Sequence, residues 1–154
     1  MGAKTSKADK RSRRARAKEP LRQVGALAWR RRKGTIEILL VTSRTTRRWV
    51  IPKGGVMAHL VDMNAARQEA FEEAGIAGRM QRKSIGTYQY RKIGPDGLTQ
   101  TCVAKVFALE VQRELTNWPE MRQRRRRWFA VKEAVKRVGE RDLRKIMRVF
   151  AAGL

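Results

Sequence analysis

Apolar and polar residues alternate along several short segments of this 154-residue chain. Such segments predict strands, which fall at 23–29, 36–42, 49–51, 84–91, 99–111 and 128–131. The basic run Arg30-Arg31-Arg32-Lys33-Gly34 is predicted to form a hairpin turn between the first two strands. Gly94-Pro95-Asp96-Gly97 is a strong turn signal between the fourth and fifth.

One segment has the period of a helix instead. A helix is predicted at 63–74, with Asp62 as its N-cap and Gly75 as the first residue beyond it. The helix repeats small residues every four positions, which lets it pack closely on a sheet: Ala66, Ala70 and Ala74. Further helical stretches are predicted at 134–138 and 143–151. Together the elements indicate one α/β domain.

Charge changes this picture at the N-terminus. The chain carries 37 Lys and Arg against 14 Asp and Glu, a net charge of +23, which implies polyanionic partners. Residues 1–20 are basic and almost free of apolar side chains, so we predict a disordered arm there, followed by a folded domain at 21–154. Non-specific contact of the arm with nucleic acid and a merely solvated arm are both compatible with this composition. Further arginine clusters at 44–48 and 122–127 fall within the folded part.

Two absences suggest the compartment. No apolar run reaches the roughly 18 residues that a membrane span needs. Cys102 is the one cysteine, which excludes an internal disulfide and fits a reducing compartment. We therefore expect a cytoplasmic protein without a membrane partner, and the sequence does not indicate its oligomeric state.

The predicted central helix carries the strongest chemical signal. Glu69, Glu72 and Glu73 stand at positions i, i+3 and i+4, which share one helix face. Like charges at this spacing repel each other, and a divalent cation on a solvent-facing site is the simplest compensation. Mg²⁺ prefers carboxylate oxygens combined with water and substrate phosphates. The glycines of Lys53-Gly54-Gly55 precede the helix and allow close approach of backbone to a ligand.

This stretch resembles the Nudix box, G-x5-E-x7-R-E-U-x-E-E-x-G-U, in which U is apolar. The residues that match are Gly54, Glu69, Ala70, Glu72, Glu73, Gly75 and Ile76. The first Glu of the box is Leu60 here, and its Arg is Gln68. In the family these two side chains pair, so this chain has lost both members of the pair rather than one. The resemblance implies a Nudix-type α/β/α sandwich with a mixed β-sheet.

The resemblance also implies a mechanism, which is metal-dependent hydrolysis of a diphosphate linkage. Carried over from the family, the metal ligands and catalytic carboxylates are Glu69, Glu72 and Glu73, with the backbone carbonyl of Lys53 as a further ligand. The ion expected is Mg²⁺, with Mn²⁺ as an alternative. Glu120 is either an outlying metal carboxylate or a loop residue that caps the following segment. The residues expected to contact substrate are Arg47, Arg48, Lys53, Gly54 and Gly55. Family members recruit their general base from different places, so it is left unassigned.

The substrate is the least determined feature. RRWVIPKGGVM and the helix after it are similar to a Nudix subgroup, the diphosphoinositol polyphosphate phosphohydrolases, which also cleave dinucleoside polyphosphates. Two other substrate classes stay open, namely nucleoside diphosphate derivatives such as ADP-ribose and RNA 5′ ends. The rival to an enzyme is a non-catalytic Nudix-fold module that binds polyphosphate or nucleic acid. Leu60 and Gln68 favour that module, whereas retention of three mutually repelling glutamates favours catalysis.

Overall fold

The computed structural model describes residues 19–154. The predicted arm at 1–20 lies outside the described residues except for Glu19 and Pro20. The division of the chain into arm and domain therefore stays a prediction.

Strands and helices follow one another along the described residues as the pattern predicts, with two additional strands, at 53–55 and 76–80. The strands are β1 (Leu21–Arg32), β2 (Thr35–Thr42), β3 (Trp49–Val50), β4 (Lys53–Gly55), β5 (Ile76–Met80), β6 (Gly86–Ile93), β7 (Thr99–Glu114) and β8 (Arg126–Ala130). The helices are α1 (Asp62–Ala74), α2 (Val131–Arg137) and α3 (Arg141–Ala152). None of the helices in residues 19–154 is long and apolar enough to cross a membrane.

Strand β1 organises one mixed sheet. It runs parallel to β7, and it pairs antiparallel with β4 through its first half and with β2 through its second half. Strands β5 and β6 extend the sheet beyond β7, and β3 and β8 pair with β2. Because β4 pairs with β1, the segment just before α1 is held against the centre of the sheet.

The two faces of the sheet are covered by different helices. Alternate residues of β1 and β2 enter two separate cores. One core includes the alanine face of α1, and Ala66, Ala70 and Ala74 are fully buried there, as predicted. The other core includes Leu143, Ile146 and Met147 of α3, together with residues of α2. The architecture is the predicted α/β/α sandwich.

The hairpin turn is shorter than the sequence predicts. Arg30, Arg31 and Arg32 belong to β1, whose register with β2 continues to the pair Arg32 and Thr35. Only Lys33 and Gly34 form the turn, with φ values of 50° and 77°. Two-residue hairpins favour positive φ at both central positions because the twist of such turns matches the twist of the strands.

Two other local predictions need correction. Asp62 is the first residue of α1 rather than its N-cap, which is Val61 and makes no side-chain capping bond. The Asp62 carboxylate instead accepts a hydrogen bond from Lys105 Nζ at 3.1 Å. Strand β5 was not predicted, because its sequence, IAGRM, has no clear alternation. Its pairing with β7 shifts register between Ala77 and Gly78, so tertiary contact rather than local pattern defines it.

Candidate active site

The last turn of α1 is fixed by the segment that follows β7. The indole N–H of Trp118 donates to the carbonyl of Glu73 at 3.2 Å, and the backbone N–H of Glu120 donates to the carbonyl of Glu72 at 3.0 Å. Carbonyls in the final turn of a helix have no partner within the helix and need donors from elsewhere. The carboxylates of this turn therefore project from a backbone that a second segment holds in place.

Arg126 adds to this anchorage from β8. Its Nη1 donates to the carbonyl of Ala74 at 2.8 Å, and its guanidinium lies 3.9 Å from the centroid of the Trp118 ring. A cation is also favoured at the C-terminus of a helix by the helix dipole. Gly75 follows with φ of 63°, where a Cβ would overlap the Trp118 ring, so the predicted role of this glycine is confirmed. The run of arginines at 122–127 is therefore not one surface cluster.

Glu73 is buried, although the sequence suggested a solvent-facing site. Its Oε2 accepts a hydrogen bond from the backbone N–H of Lys53 at 3.2 Å, and its Oε1 accepts one from Arg124 Nη2 at 3.1 Å. Burial raises the pKa of Glu73 to about 7, against the opposing effect of Arg124 and Lys53. The carboxylate thus has one charged and one backbone donor, and burial still has the larger effect on its pKa.

Glu69 lies against Lys53-Gly54-Gly55, the three residues of β4, hereafter the glycine loop. A Cβ on Gly54 would overlap the Glu69 carboxylate, so the absence of a side chain at Gly54 is what lets that carboxylate reach the loop. Gly55 has no such constraint, because the nearest atom to a Cβ there would be Gln23 Nε2 at 4.0 Å. The pKa of Glu69 is raised by burial first, and then by the neighbouring charges of Glu72 and Glu120.

Glu120 lies close to this cluster, where the sequence left its role open. Its Oε1 accepts a hydrogen bond from Arg124 Nε at 3.2 Å, while its backbone carbonyl accepts from the N–H groups of Gln123 and Arg124. The structure is therefore compatible with both predictions for Glu120, an outlying metal carboxylate and a residue that caps the following segment. Arg124 itself was missed as a site residue. In the run RQRRRRWF nothing distinguishes an inward arginine from its exposed neighbours.

Carboxylate oxygens suit a hard divalent cation, although the carboxylates here are not arranged as a complete metal site. Within residues 19–154 no three acidic side chains come together closely enough to hold an ion. The groups present are carboxylates, and burial raises the pKa of both Glu69 and Glu73. A cation bound beside them would favour their ionised forms. Lys53 contacts this cluster through its N–H, and the role of its carbonyl as a ligand stays a prediction.

The side chain of Lys53 lies over an aromatic ring. Its Nζ is 5.0 Å from the centroid of Tyr90, whose hydroxyl donates to Gln23 Oε1 at 3.0 Å. Burial lowers the pKa of Lys53, while the charge of Glu73 and then that of Glu140 act to raise it. A buried ammonium group is poorly hydrated, so an anionic ligand that reaches it would stabilise its charge.

The two arginines predicted to contact substrate differ in their surroundings. The Arg48 guanidinium lies 3.4 Å from Glu140 Oε1, and its charge also reaches Lys53. Arg47 is exposed in a tight turn, with φ of 56°. Glu140 Oε2 is buried without a hydrogen-bond partner among the described residues. Arg48 thus lies near Lys53, and Glu140 is a further residue that the sequence did not indicate.

Leu60 and Gln68, which replace the paired Glu and Arg of the box, make different contacts from that pair. Leu60 packs at the edge of the core beneath α1, and Gln68 Nε2 donates to Glu72 Oε1 at 3.0 Å. An apolar contact and a hydrogen bond from an amide to a carboxylate thus take the place of the ion pair that the family pattern has there. Losing both charges together avoids leaving one of them buried and unpaired.

A double-mutant cycle should detect the geometry of the lost pair. We expect Leu60→Glu to lower the melting temperature by less in a Gln68→Arg background than in the wild type, because the arginine supplies a partner for the new carboxylate. The measurement is the melting temperature of the wild type, both single variants and the double variant. Purely additive shifts would show that positions 60 and 68 do not face each other.

Metal binding should also depend on pH in a defined direction. The pKa of Glu73 is about 7 in the folded, metal-free protein, above the ordinary carboxyl value of about 4.3 in an unfolded chain. This group therefore favours folding most below about pH 4 and loses that contribution as the pH rises through about 7. A bound ion should restore it, so Mg²⁺ should raise the melting temperature more at pH 8 than at pH 6. An equal Mg²⁺ effect at both pH values, with EDTA as the reference, would contradict this expectation.

Comparison with solved structures agrees with the fold. The crystal structure of a C. elegans Ap4A hydrolase superimposes with a TM-score of 0.64 at 20% sequence identity, covering 87% of this chain and 98% of that one. The NUDIX domain of Shewanella oneidensis NrtR, crystallised with ADP ribose, gives a TM-score of 0.59 at 12% identity, covering 94% of this chain and 97% of that one. At these identities the similarity concerns the fold alone.

Comparison with sequences identifies the family. Nudix hydrolase 12, mitochondrial, of Arabidopsis thaliana is 38% identical over 103 residues, which are 65% of this chain and 51% of that protein. Diphosphoinositol polyphosphate phosphohydrolase 3-beta of Bos taurus is 35% identical over 103 residues, 65% of this chain and 58% of that protein. The chain thus spans about half the length of these curated relatives. The family model of the NUDIX domain matches residues 19–150, and the chain belongs to the Nudix family.

Proposed function

We propose that this protein hydrolyses a diphosphate linkage in a small polyanionic substrate, with the help of a divalent cation bound at the end of α1. The observation that carries the proposal is the pairing of Glu69 and Glu73 with the loop at Lys53 and Gly54. Glu73 accepts the Lys53 N–H, and Glu69 lies against the backbone of Gly54. The names of relatives, among them a diphosphoinositol polyphosphate phosphohydrolase, support the same reaction class.

The residues have separate tasks in this reaction. Glu69, Glu72 and Glu73 would hold Mg²⁺, with the carbonyl of Lys53 as a further ligand. When bound, the ion would neutralise phosphate charge and make a water molecule more nucleophilic. Gly54 leaves the loop without a side chain, so the Glu69 carboxylate, a proposed metal ligand, can lie against the backbone there. No described contact distinguishes one carboxylate as the general base.

Cationic side chains near the loop favour a strongly anionic substrate. The Lys53 ammonium and the Arg48 guanidinium lie close enough for their charges to influence each other, and both belong to segments next to the loop. Dinucleoside polyphosphates and diphosphoinositol polyphosphates are therefore the first substrate classes that we propose. Nucleoside diphosphate derivatives such as ADP-ribose and RNA 5′ ends are the alternatives.

A hydrolysis screen with and without Mg²⁺ tests the proposal. It should compare diadenosine polyphosphates, inositol pyrophosphates, ADP-ribose, nucleoside triphosphates and RNA with a 5′ triphosphate. We expect turnover that requires Mg²⁺ and is fastest on one of the first two classes. Binding of these compounds without any turnover would instead support the non-catalytic module, for which Leu60 and Gln68 are the motivation.

The arginine pair gives a sharper test of substrate charge. We expect Arg48→Gln to raise KM for a polyphosphate substrate several-fold with little change in kcat, because Arg48 acts on the bound anion rather than on the reacting atoms. Arg47→Gln is the comparison variant: the sequence predicts Arg47 as a substrate contact as well, but Arg47 lies in an exposed turn and its charge is not among those that act on Lys53. An equal rise in KM for both variants would indicate a diffuse charge effect, which high salt should then abolish.

A further inference from the structure

Arg124 places a positively charged side chain among the carboxylates of the candidate site. Its Nη2 donates to Glu73 Oε1 at 3.1 Å and its Nε donates to Glu120 Oε1 at 3.2 Å. Its Nη1 donates to the carbonyl of Thr42 at 3.2 Å, which fixes the guanidinium to the end of β2. The side chain is 9% exposed, against 7% for Glu73 and 19% for Glu120. The guanidinium is therefore a nearly buried cation that bridges two carboxylates from different segments.

The contacts of Arg124 reach the proposed metal ligands directly. One oxygen of Glu73 is bonded to Arg124 and the other to the Lys53 N–H, so both face donors before any ion binds. The charge of Arg124 also acts on Glu69, where it lowers the pKa against the effect of burial. Arg44 adds a second, exposed cation at 3.8 Å from Glu120. The carboxylates are thus partly neutralised by the protein itself.

From these contacts we propose that Arg124 is a resident cation of the carboxylate cluster. It holds Glu73 and Glu120 in place when no divalent ion is bound, and it weakens divalent-ion binding by competing for the same oxygens and by like-charge repulsion. This inference rests on the proposed function, because it concerns the ion that the function requires. It makes Arg124 a positioning residue, since it acts through Glu73 rather than on the substrate.

Charge balance gives the inference a consequence for substrate binding. A divalent ion next to a fixed guanidinium is held less tightly until a further anion arrives. Phosphate oxygens of a substrate would supply that anion, and Mg²⁺ sites in proteins commonly combine carboxylates with substrate phosphates. The metal ion and the anionic substrate should therefore bind with positive coupling, each raising the affinity of the other by the same factor.

Calorimetric titration of Mg²⁺ into the full chain tests this inference without any measurement of turnover. We expect Arg124→Met to lower the melting temperature of the metal-free protein and to tighten Mg²⁺ binding by about tenfold. Arg126→Met is the matched control, because Arg126 lies two residues further along the chain but donates to the backbone carbonyls of Ala74 and Gly75 at the end of α1. It should lower the melting temperature while leaving Mg²⁺ affinity within about twofold of the wild type.

A second variant, Arg124→Lys, tests the inference in case Arg124→Met does not fold. Arg124→Lys keeps the charge but cannot bond two carboxylates through a planar fork, so we expect Mg²⁺ binding about threefold tighter than in the wild type. Unchanged or weaker Mg²⁺ binding in a folded Arg124 variant would overturn the inference while leaving the proposed function in place. Tighter binding in both Arg124→Met and Arg126→Met would also overturn it, because any loss of positive charge would then suffice. If neither the wild type nor the Arg124 variants bind Mg²⁺ or Mn²⁺, the proposed metal-dependent function fails, and this inference fails with it.

Discussion

Replacing Glu73 with glutamine should lower Mg²⁺-dependent hydrolysis by roughly a hundredfold or more. Glutamine keeps the size of the side chain but removes the negative charge that would bind the ion. Burial makes this residue more consequential than its neighbours, since no water can substitute for a carboxylate that is 7% exposed. Glu72→Gln should act in the same direction with a smaller effect, because Glu72 is only partly buried and already shares its oxygen with Gln68.

The fold of the Glu73→Gln variant should survive, although Arg124 loses one of its two charged partners. Arg124 keeps Glu120 and the carbonyl of Thr42, so its cation is not left alone. Steady-state hydrolysis and a melting curve on the same preparation measure both effects. Glu133→Gln is the control, since Glu133 forms an exposed ion pair with Arg137 on α2. Near-normal turnover of Glu73→Gln at saturating Mg²⁺ would show that the metal ligands of the family do not carry over to this position.

Much of this site could be predicted because its parts are local in sequence. The carboxylates of α1 follow one helical period, and Gly75 ends that helix in the left-handed conformation that glycine favours. Gly54 and Glu69 are fifteen positions apart, yet a spaced motif connects them through one loop and one helix. Such short-range patterns survive folding with little change.

The parts that could not be predicted depend on contacts between distant segments. Arg124 meets Glu73 only because β8 pairs with β2 and brings the preceding loop to the end of α1. Its sequence neighbours are also arginines, so composition favoured a solvated run. Burial of Glu73 was also missed, because an acidic helix face normally points to water. The N-cap was misplaced because Asp62 bonds to Lys105 on a distant strand rather than to its own helix.

These misses share a physical origin. Each concerns a charged side chain whose surroundings are supplied by the sheet and its loops. Glu73 and Arg124 lie largely out of water there, whereas Asp62 is partly exposed. Burial of charge is tolerated only with partners, and the partners here come from 43 to 51 positions away in sequence. The burial of these charged groups therefore becomes visible only when the fold is known.

Replacing Gly54 with alanine should abolish most of the hydrolytic activity while costing little stability. A Cβ at this position would overlap the carboxylate of Glu69, and the far end of a flexible side chain can move aside without disturbing the backbone. The displaced carboxylate would then no longer lie against the loop where the metal and the substrate phosphates are proposed to bind. Because small displacements in an active site have large consequences, we expect kcat to fall by about a hundredfold.

Gly55→Ala is the matched control for this prediction. The same methyl group is added one residue further along β4, where the nearest heavy atom is Gln23 Nε2 at 4.0 Å. Both variants should melt within a few degrees of the wild type, and only Gly54→Ala should lose turnover and Mg²⁺ affinity. Equal activity in the two variants would show that the contact between Glu69 and the glycine loop is not needed for the reaction. The metal site would then have to rest on Glu72 and Glu73 alone, and the loss expected for Glu69→Gln would be correspondingly small.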